Sequence, residues 1–162
     1  MGAARLLIVD ACVLIDFAKT DPSLLTLAGR YIGEVYVATP VLEEVEELDP
    51  AMAASLGIML FEPSFELVAA AAADRGRLSF EDRICLLAAK ENGWTCVSND
   101  KPLRNACRAE GVSLLWGLEV LALLVEGSAL SPVDAKEVAE LMATQNKRLG
   151  KGVLTRFLAR IG

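Results

Sequence analysis

Four acidic positions stand where side chains can do chemistry. Asp10 closes the apolar run Arg5-Leu6-Leu7-Ile8-Val9, and Asp100 follows a second short run, Thr95 to Ser98. Each run reads as a buried strand of a parallel α/β sheet. In such sheets ligands bind beyond the carboxyl ends of the strands, so two acids placed just after strands have a geometric reason to converge. The simpler reading of each is a helix cap or turn residue. The segment Val41 to Leu48 reads as a helix carrying Glu43, Glu44, Glu46 and Glu47. At about 100° per residue its buried stripe is Val41, Leu42, Val45 and Leu48; Glu44 lies nearest the margin of that stripe and the other three glutamates are left to solvent. Asp82 shares an apolar helix face with Cys85, Leu86 and Ala89. A buried aspartate there must meet a partner or a cation, or else it is the third residue of a helix capped by Ser79 and simply favours the helix dipole.

Gathered together, these carboxylates would suit a hard divalent cation. Mg²⁺ takes one or two carboxylates, keeps several waters and accepts substrate phosphate. Unneutralised carboxylates repel phosphate, whereas a bound cation reverses the local field and acidifies a coordinated water for attack on phosphorus. The sequence contains no histidine. That excludes Ser-His-Asp and Cys-His catalysis, histidine zinc sites and any histidine general base, so in an enzyme carboxylates, lysines, hydroxyls or a metal must carry the chemistry. Cys12, Cys85, Cys96 and Cys107 are widely spaced among apolar neighbours and read as buried, reduced thiols.

The elements that must position the acids alternate between strand and helix. After the strand ending at Asp10, Val13 to Lys19 and a stretch from Asp21 to Gly29 read as helices. Glu34 to Ala38 reads as a strand and Thr39-Pro40 as a helix start. Helices over Ala51 to Leu56 and Ser64 to Asp74 are separated by the apolar stretch Ile58 to Phe61. Ser79 caps a helix that stops at Gly93, Pro102 to Glu110 forms another before Gly111, and Val112 to Leu115 is a strand. The remainder is helical, broken at Gly127, Pro132 and Gly150. Alternation of this kind predicts a short parallel sheet in a three-layer α/β/α arrangement, with residues 1–126 as the sheet domain and 127–162 as a C-terminal helical extension packed on it. A chain of 162 residues that is 54% hydrophobic is long enough to bury one substantial core. The N-terminus lacks the pattern of a signal peptide and no apolar run reaches membrane-spanning length, so the expectation is a cytoplasmic protein without membrane association.

Charge gives a mixed signal. The net charge is -6, which disfavours a phosphate binder, yet Lys147, Arg148, Lys151, Arg156 and Arg160 lie in a C-terminal segment with no acid, behind a body that holds all 22 acidic residues. Lys101 and Arg104 follow Asp100 closely and can reach a phosphate from the edge carrying the acids; as solvated cations on an amphipathic helix they need no such role. Trp94 and Trp116 flank apolar strands and read as core rather than base-stacking platforms.

Four ordered pieces resemble the PIN-domain ribonucleases, which include the VapC-type toxins of toxin-antitoxin pairs. They are Val9-Asp10-Ala11-Cys12-Val13-Leu14-Ile15; Val41-Leu42-Glu43-Glu44-Val45; Leu78-Ser79-Phe80-Glu81-Asp82; and Val97-Ser98-Asn99-Asp100-Lys101-Pro102-Leu103. The resemblance implies that Asp10, Glu44, Asp82 and Asp100 form an acidic quartet holding Mg²⁺ or Mn²⁺, with Ser98 and Asn99 supporting the last acid. It also implies an RNA substrate, a homodimer and, for toxin members, a small antitoxin partner. The family usually carries a small polar residue just after the first aspartate, where this chain has Ala11 and Cys12. Asp16 is either a fifth acid near the site or a surface residue, which its helix position alone does not distinguish. Two rival readings are a binding or regulatory module on the same scaffold, and a phosphatase of the haloacid dehalogenase type, which needs a second aspartate where Cys12 stands.

Overall fold

The computed structural model describes residues 5–73 and 76–162. Five parallel strands form one sheet in the order β3-β2-β1-β4-β5: β1 is Arg5–Val9, β2 Gly33–Ala38, β3 Met59–Phe61, β4 Thr95–Val97 and β5 Leu114–Leu115. The central strands are short and apolar because both faces are covered, with Leu7, Ile8, Val9, Val35, Val37, Cys96 and Val97 all buried. β1 pairs with β2 on one side and β4 on the other, Ile8 standing beside Tyr36 and Cys96. At the start of β2 the chains approach so closely that a Cβ on Gly33 would lie 1.7 Å from the Arg5 carbonyl oxygen, which is why a glycine opens that strand.

Ten helices occupy the described residues. The first four are α1 (Ala11–Thr20), α2 (Ser23–Tyr31), α3 (Thr39–Leu42) and α4 (Pro50–Ser55); α5 (Phe65–Ala73), α6 (Phe80–Asn92) and α7 (Lys101–Ala109) follow, and α8 (Gly117–Glu126), α9 (Pro132–Gln145) and α10 (Lys151–Ile161) end the chain. The caps are those the sequence announces. The Ser79 hydroxyl accepts from the Asp82 amide, and Gly93 ends α6 in the left-handed region at φ 69°. α6 packs on β1 and β4, whereas α1 and α2 meet α9 and α8 on the other side, giving helices on both faces of the sheet. No helix among the described residues is long and apolar enough to cross a membrane.

The structure departs from expectation at the helix 41–48 and adds a strand in the stretch the sequence left unassigned. Within the stretch 58–61, Met59–Phe61 is a strand at the sheet edge, with Met59 and Leu60 exposed. The expected helix 41–48 ends after one turn. Glu44 and Val45 donate to the carbonyls three residues back, and the resulting tight turns still bury Val41, Leu42, Val45 and Leu48 but bring Glu47 into a half-buried position, 3.8 Å from Lys19 rather than in open solvent. The helix expected to end at Asp74 is seen to Ala73; Asp74 lies outside the described residues.

Arg83 was not anticipated at all. It is buried on α6, its guanidinium donating to the carbonyls of Ala71 and Leu78, and so ties the end of α5 to the approach of α6. Arg83→Leu leaves both carbonyls without their charged donor and is expected to cost about 2–4 kcal/mol, read as a lower urea midpoint at unchanged slope. A midpoint equal to that of the wild type would remove Arg83 from this role.

Candidate metal and phosphate site

The sheet reverses its winding at β1. From β1 the chain moves outward through β2 to β3, then returns to place β4 on the opposite side. A crevice opens at such a reversal, beyond the carboxyl ends of the two diverging strands. Asp10 directly follows β1, and Ser98, Asn99 and Asp100 directly follow β4. The Asp10 amide donates to the Val97 carbonyl at 3.1 Å, holding the two strand ends together.

Asp10, Glu44, Asp82 and Asp100 line one cavity of about 130 Å³, together with Glu81 and Arg148. All four acids singled out in the sequence are therefore brought together from four separate segments. The simpler readings hold as well. Asp10 caps α1, its Oδ1 accepting from the Val13 amide at 2.9 Å; Asp100 caps α7, its Oδ2 accepting from the Leu103 amide at 3.1 Å. Asp82 is the third residue of α6, with its own amide on Ser79. Capping uses one carboxylate oxygen of Asp10 and one of Asp100, leaving the second oxygen of each for other partners. For Asp10 that oxygen, Oδ2, accepts from the Ser98 hydroxyl at 2.5 Å.

Burial first, and neighbouring acids second, raise the pKa values of Asp10, Asp82 and Glu44. Burial, reinforced by the charges of Asp82 and Asp100, raises Asp10 from 3.8 to about 7, against the opposing hydrogen bonds from Ser98 and Val13. Asp82 is raised by burial and then by Asp100, and Glu44 by partial burial and then by Glu81. Cys12, half-buried beside the cavity rather than wholly in the core as its neighbours suggested, is pushed to about 11 by burial and by Asp10, so it remains a thiol at neutral pH. The other three cysteines are buried and free.

Ser98 is the bridge of the site. Its hydroxyl donates to Asp10 and accepts from the Asp100 amide at 2.9 Å, so one side chain shapes both strand ends. Ser98→Ala removes a bond to the ionised form of Asp10 and is expected to move the Asp10 titration midpoint above 7, followed by carbon-13 NMR of its carboxyl. A midpoint that stayed or fell would contradict the assignment.

Other expectations are corrected. Asn99 does not support Asp100: its Oδ1 accepts from the Gly117 amide at 2.9 Å and its Nδ2 donates to Asp16 at 3.4 Å, joining the β4 exit to α8 and α1. Asp16 is buried at 8% exposure and is a clamp rather than a wall of the cavity, since Asn146 Nδ2 donates to its two oxygens at 3.1 and 3.0 Å. Arg104 is neither a solvated cation nor placed for phosphate. It is 9% exposed, with its guanidinium 3.5 Å above the Trp116 ring, because the indole face offers a cation–π partner where α7 meets α8. Lys101 is exposed, on a groove shared with Arg77 and Leu86 rather than in the acidic cavity. Trp94 stacks on Tyr36 at 4.5 Å and meets Phe61 edge-on, as packing residues do.

Sequence reasoning missed Glu81 and Arg148. Glu81 had a readable signal, as it precedes Asp82 on the first turn of a helix that points at the crevice. Arg148 had none, because nothing local says that a loop near the C-terminus returns to the sheet.

The donor set fits a cation that keeps its water. Among the described residues no three carboxylate or thiol side chains stand close enough to cage an ion unaided, which argues against a protein-only site. A small cavity walled by carboxylates fits Mg²⁺ or Mn²⁺ held by one or two of them, since bound positive charge offsets both the burial and the like charges that disfavour their ionised forms.

The parallel sheet with helices on both faces is a PIN-like architecture. A solved structure of a PilT N-terminus domain protein from the hyperthermophilic archaeon Sulfolobus solfataricus superposes with a TM-score of 0.55 at 15% identity, covering 73% of this chain and 92% of that one. This likeness shows a PIN-like fold. No protein-family model matches the sequence, and no curated protein matches it.

Proposed function

We propose that this protein is a Mg²⁺- or Mn²⁺-dependent endoribonuclease that hydrolyses phosphodiester bonds. One observation carries the reading: Asp10, Glu44, Asp82 and Asp100, from four segments, wall a single cavity at the switch point of the sheet, where burial and neighbouring carboxylates disfavour the charged forms of Asp10, Asp82 and Glu44. Such a constellation is poorly suited to structure, because uncompensated buried charge is costly, and well suited to a site completed by a cation. Within it Asp10 and Asp100 are held by their helix caps, Ser98 fixes the Asp10 oxygen, and Glu44 and Asp82 complete the lining. When bound, the divalent ion supplies positive charge at the scissile phosphate and acidifies the attacking water. Fold likeness alone would not license this, since one fold serves many activities; the acids in the cavity support it.

The finer assignment, a toxin held by a small antitoxin, rests on the four resembling motifs. It is tested by the neighbouring reading frame: a short frame encoding a DNA-binding fold supports it, and a frame of another kind removes that support. The nuclease itself is tested by incubating the protein with a generic single-stranded RNA and Mn²⁺, with EDTA and with Asp10→Asn as controls. Cleavage confined to Mn²⁺ and the wild-type chain is expected. A wild-type protein that leaves RNA intact under all conditions would make the chain a binding module on the same scaffold.

A further inference from the structure

We propose that Arg148, carried on the loop between α9 and α10, binds a phosphate of the RNA strand in the acidic cavity, so that the C-terminal helices complete the site. The inference rests on the nuclease reading and adds to it a residue from outside the four motifs.

Three observations point to Arg148. It lines the same cavity as Asp10, Glu44, Glu81, Asp82 and Asp100, and is the basic residue among those lining it. Its position is imposed by the backbone. The Arg148 amide donates to Asn146 Oδ1 at 3.0 Å, the Asn146 amide group donates to buried Asp16, and the next residue, Leu149, is anchored in the core at 7% exposure. A chain of hydrogen bonds thus runs from α1 to the loop. Finally, among the described residues no carboxylate lies within 4.0 Å of the Arg148 guanidinium, although five line its cavity. The side chain lines the site without being spent on an ion pair, and its charge is felt at Cys12.

The chemistry explains the need. Walls of carboxylate repel an RNA strand, and a cation neutralises them only where it sits. An arginine offers a planar fork of donors that matches two phosphate oxygens and keeps its charge at any working pH. Lys101, on a separate groove, does not serve this cavity.

The test is steady-state cleavage of single-stranded RNA with Mn²⁺ across a salt series, for the wild type, Arg148→Gln, Arg148→Lys and Asn146→Ala, with thermal unfolding of each. Arg148→Gln is expected to lower kcat/KM by about 10- to 100-fold, mostly through KM, and to reduce the slope of log(kcat/KM) against log salt by about 0.7, the share of one phosphate contact on a single strand. Arg148→Lys should restore part of the activity and all of the slope. Asn146→Ala should move in the same direction by less, because the loop loses its tether. A merely structural role would leave the slope unchanged, and an unchanged slope in Arg148→Gln overturns the proposal whatever happens to the rate. Faster cleavage by Arg148→Gln also overturns it, making the arginine a plug. A wild type that does not cleave at all is distinguishable from both, since it takes down the nuclease reading itself.

Discussion

Asp10→Asn is expected to lower Mn²⁺-dependent RNA cleavage by about a thousandfold while leaving the metal-free protein at least as stable as the wild type. Asparagine keeps the shape of the side chain and can still accept from the Val13 amide at the start of α1, so the fold is retained. What it loses is the negative charge at the centre of the cavity, the feature on which cation binding depends and therefore several kcal/mol of the barrier reduction that a bound metal provides. The sign of the stability effect follows from titration. The Asp10 pKa is raised in the folded state, from 3.8 to about 7, so folding binds a proton more tightly than the unfolded chain does. Stability linked to this group is therefore fullest below pH 3.8, declines as pH climbs toward 7, and is lowest above it. The cost above pH 7 is on the order of a few kcal/mol, which asparagine avoids. Urea unfolding in EDTA at pH 5 and pH 8 reads it: the advantage of the variant should grow with pH. Retention of more than a tenth of wild-type cleavage would remove Asp10 from the reaction, and a variant less stable at pH 8 than at pH 5 relative to the wild type would contradict its buried, proton-binding state.

The second large effect concerns the last two helices. A chain ended at Glu126 is expected to lose its cooperative unfolding transition, a penalty above about 5 kcal/mol and comparable with the whole stability of a domain. α9 and α10 bury Ala135, Ala139, Met142 and Phe157, and the loop between them buries Leu149. These residues cover α8, whose Leu118, Leu121 and Leu124 are themselves nearly inaccessible, and α9 also lies on α1, which carries the site's first acid at its cap. Removing them exposes a continuous apolar face and strips Asp16 of its Asn146 partner. Circular dichroism during heating, with a dye that binds exposed apolar surface, distinguishes the outcomes. A truncated chain that melted sharply near the wild-type temperature would show that the helices are an appendage after all.

The parallel sheet, its helix caps and the convergence of the acids were legible because each depends on local rules. A strand followed by aspartate and a helix start reads directly from Arg5 to Val13, and again from Thr95 to Leu103. Ser79 and Gly93 likewise announce their helix. The misreadings arose where distant packing decides. Glu44 reaches the cavity from a tight turn rather than from the expected helix, since the buried Val41, Leu42, Val45 and Leu48 can be satisfied by either geometry. The spacing of Arg104 from Asp100 allows either a phosphate contact or a solvated cation, and does not reveal that Trp116 lies beneath it. Asn99 and Asp16 were placed near the right region and given the wrong task, for their partners Gly117 and Asn146 lie far along the chain. Arg148 depends on that same long-range tether and was beyond local rules altogether.

The double duty of Asp10 and Asp100 has an evolutionary corollary. Both begin a helix as well as facing the cavity, so a descendant that abandoned catalysis would still be penalised for discarding either. Glu44, on an exposed turn with no cap to hold, carries no such insurance and would drift as soon as selection for turnover relaxed. Among relatives of this chain, the carboxylate at position 44 should therefore separate working enzymes from retired scaffolds more sharply than the two aspartates that look most like an active site.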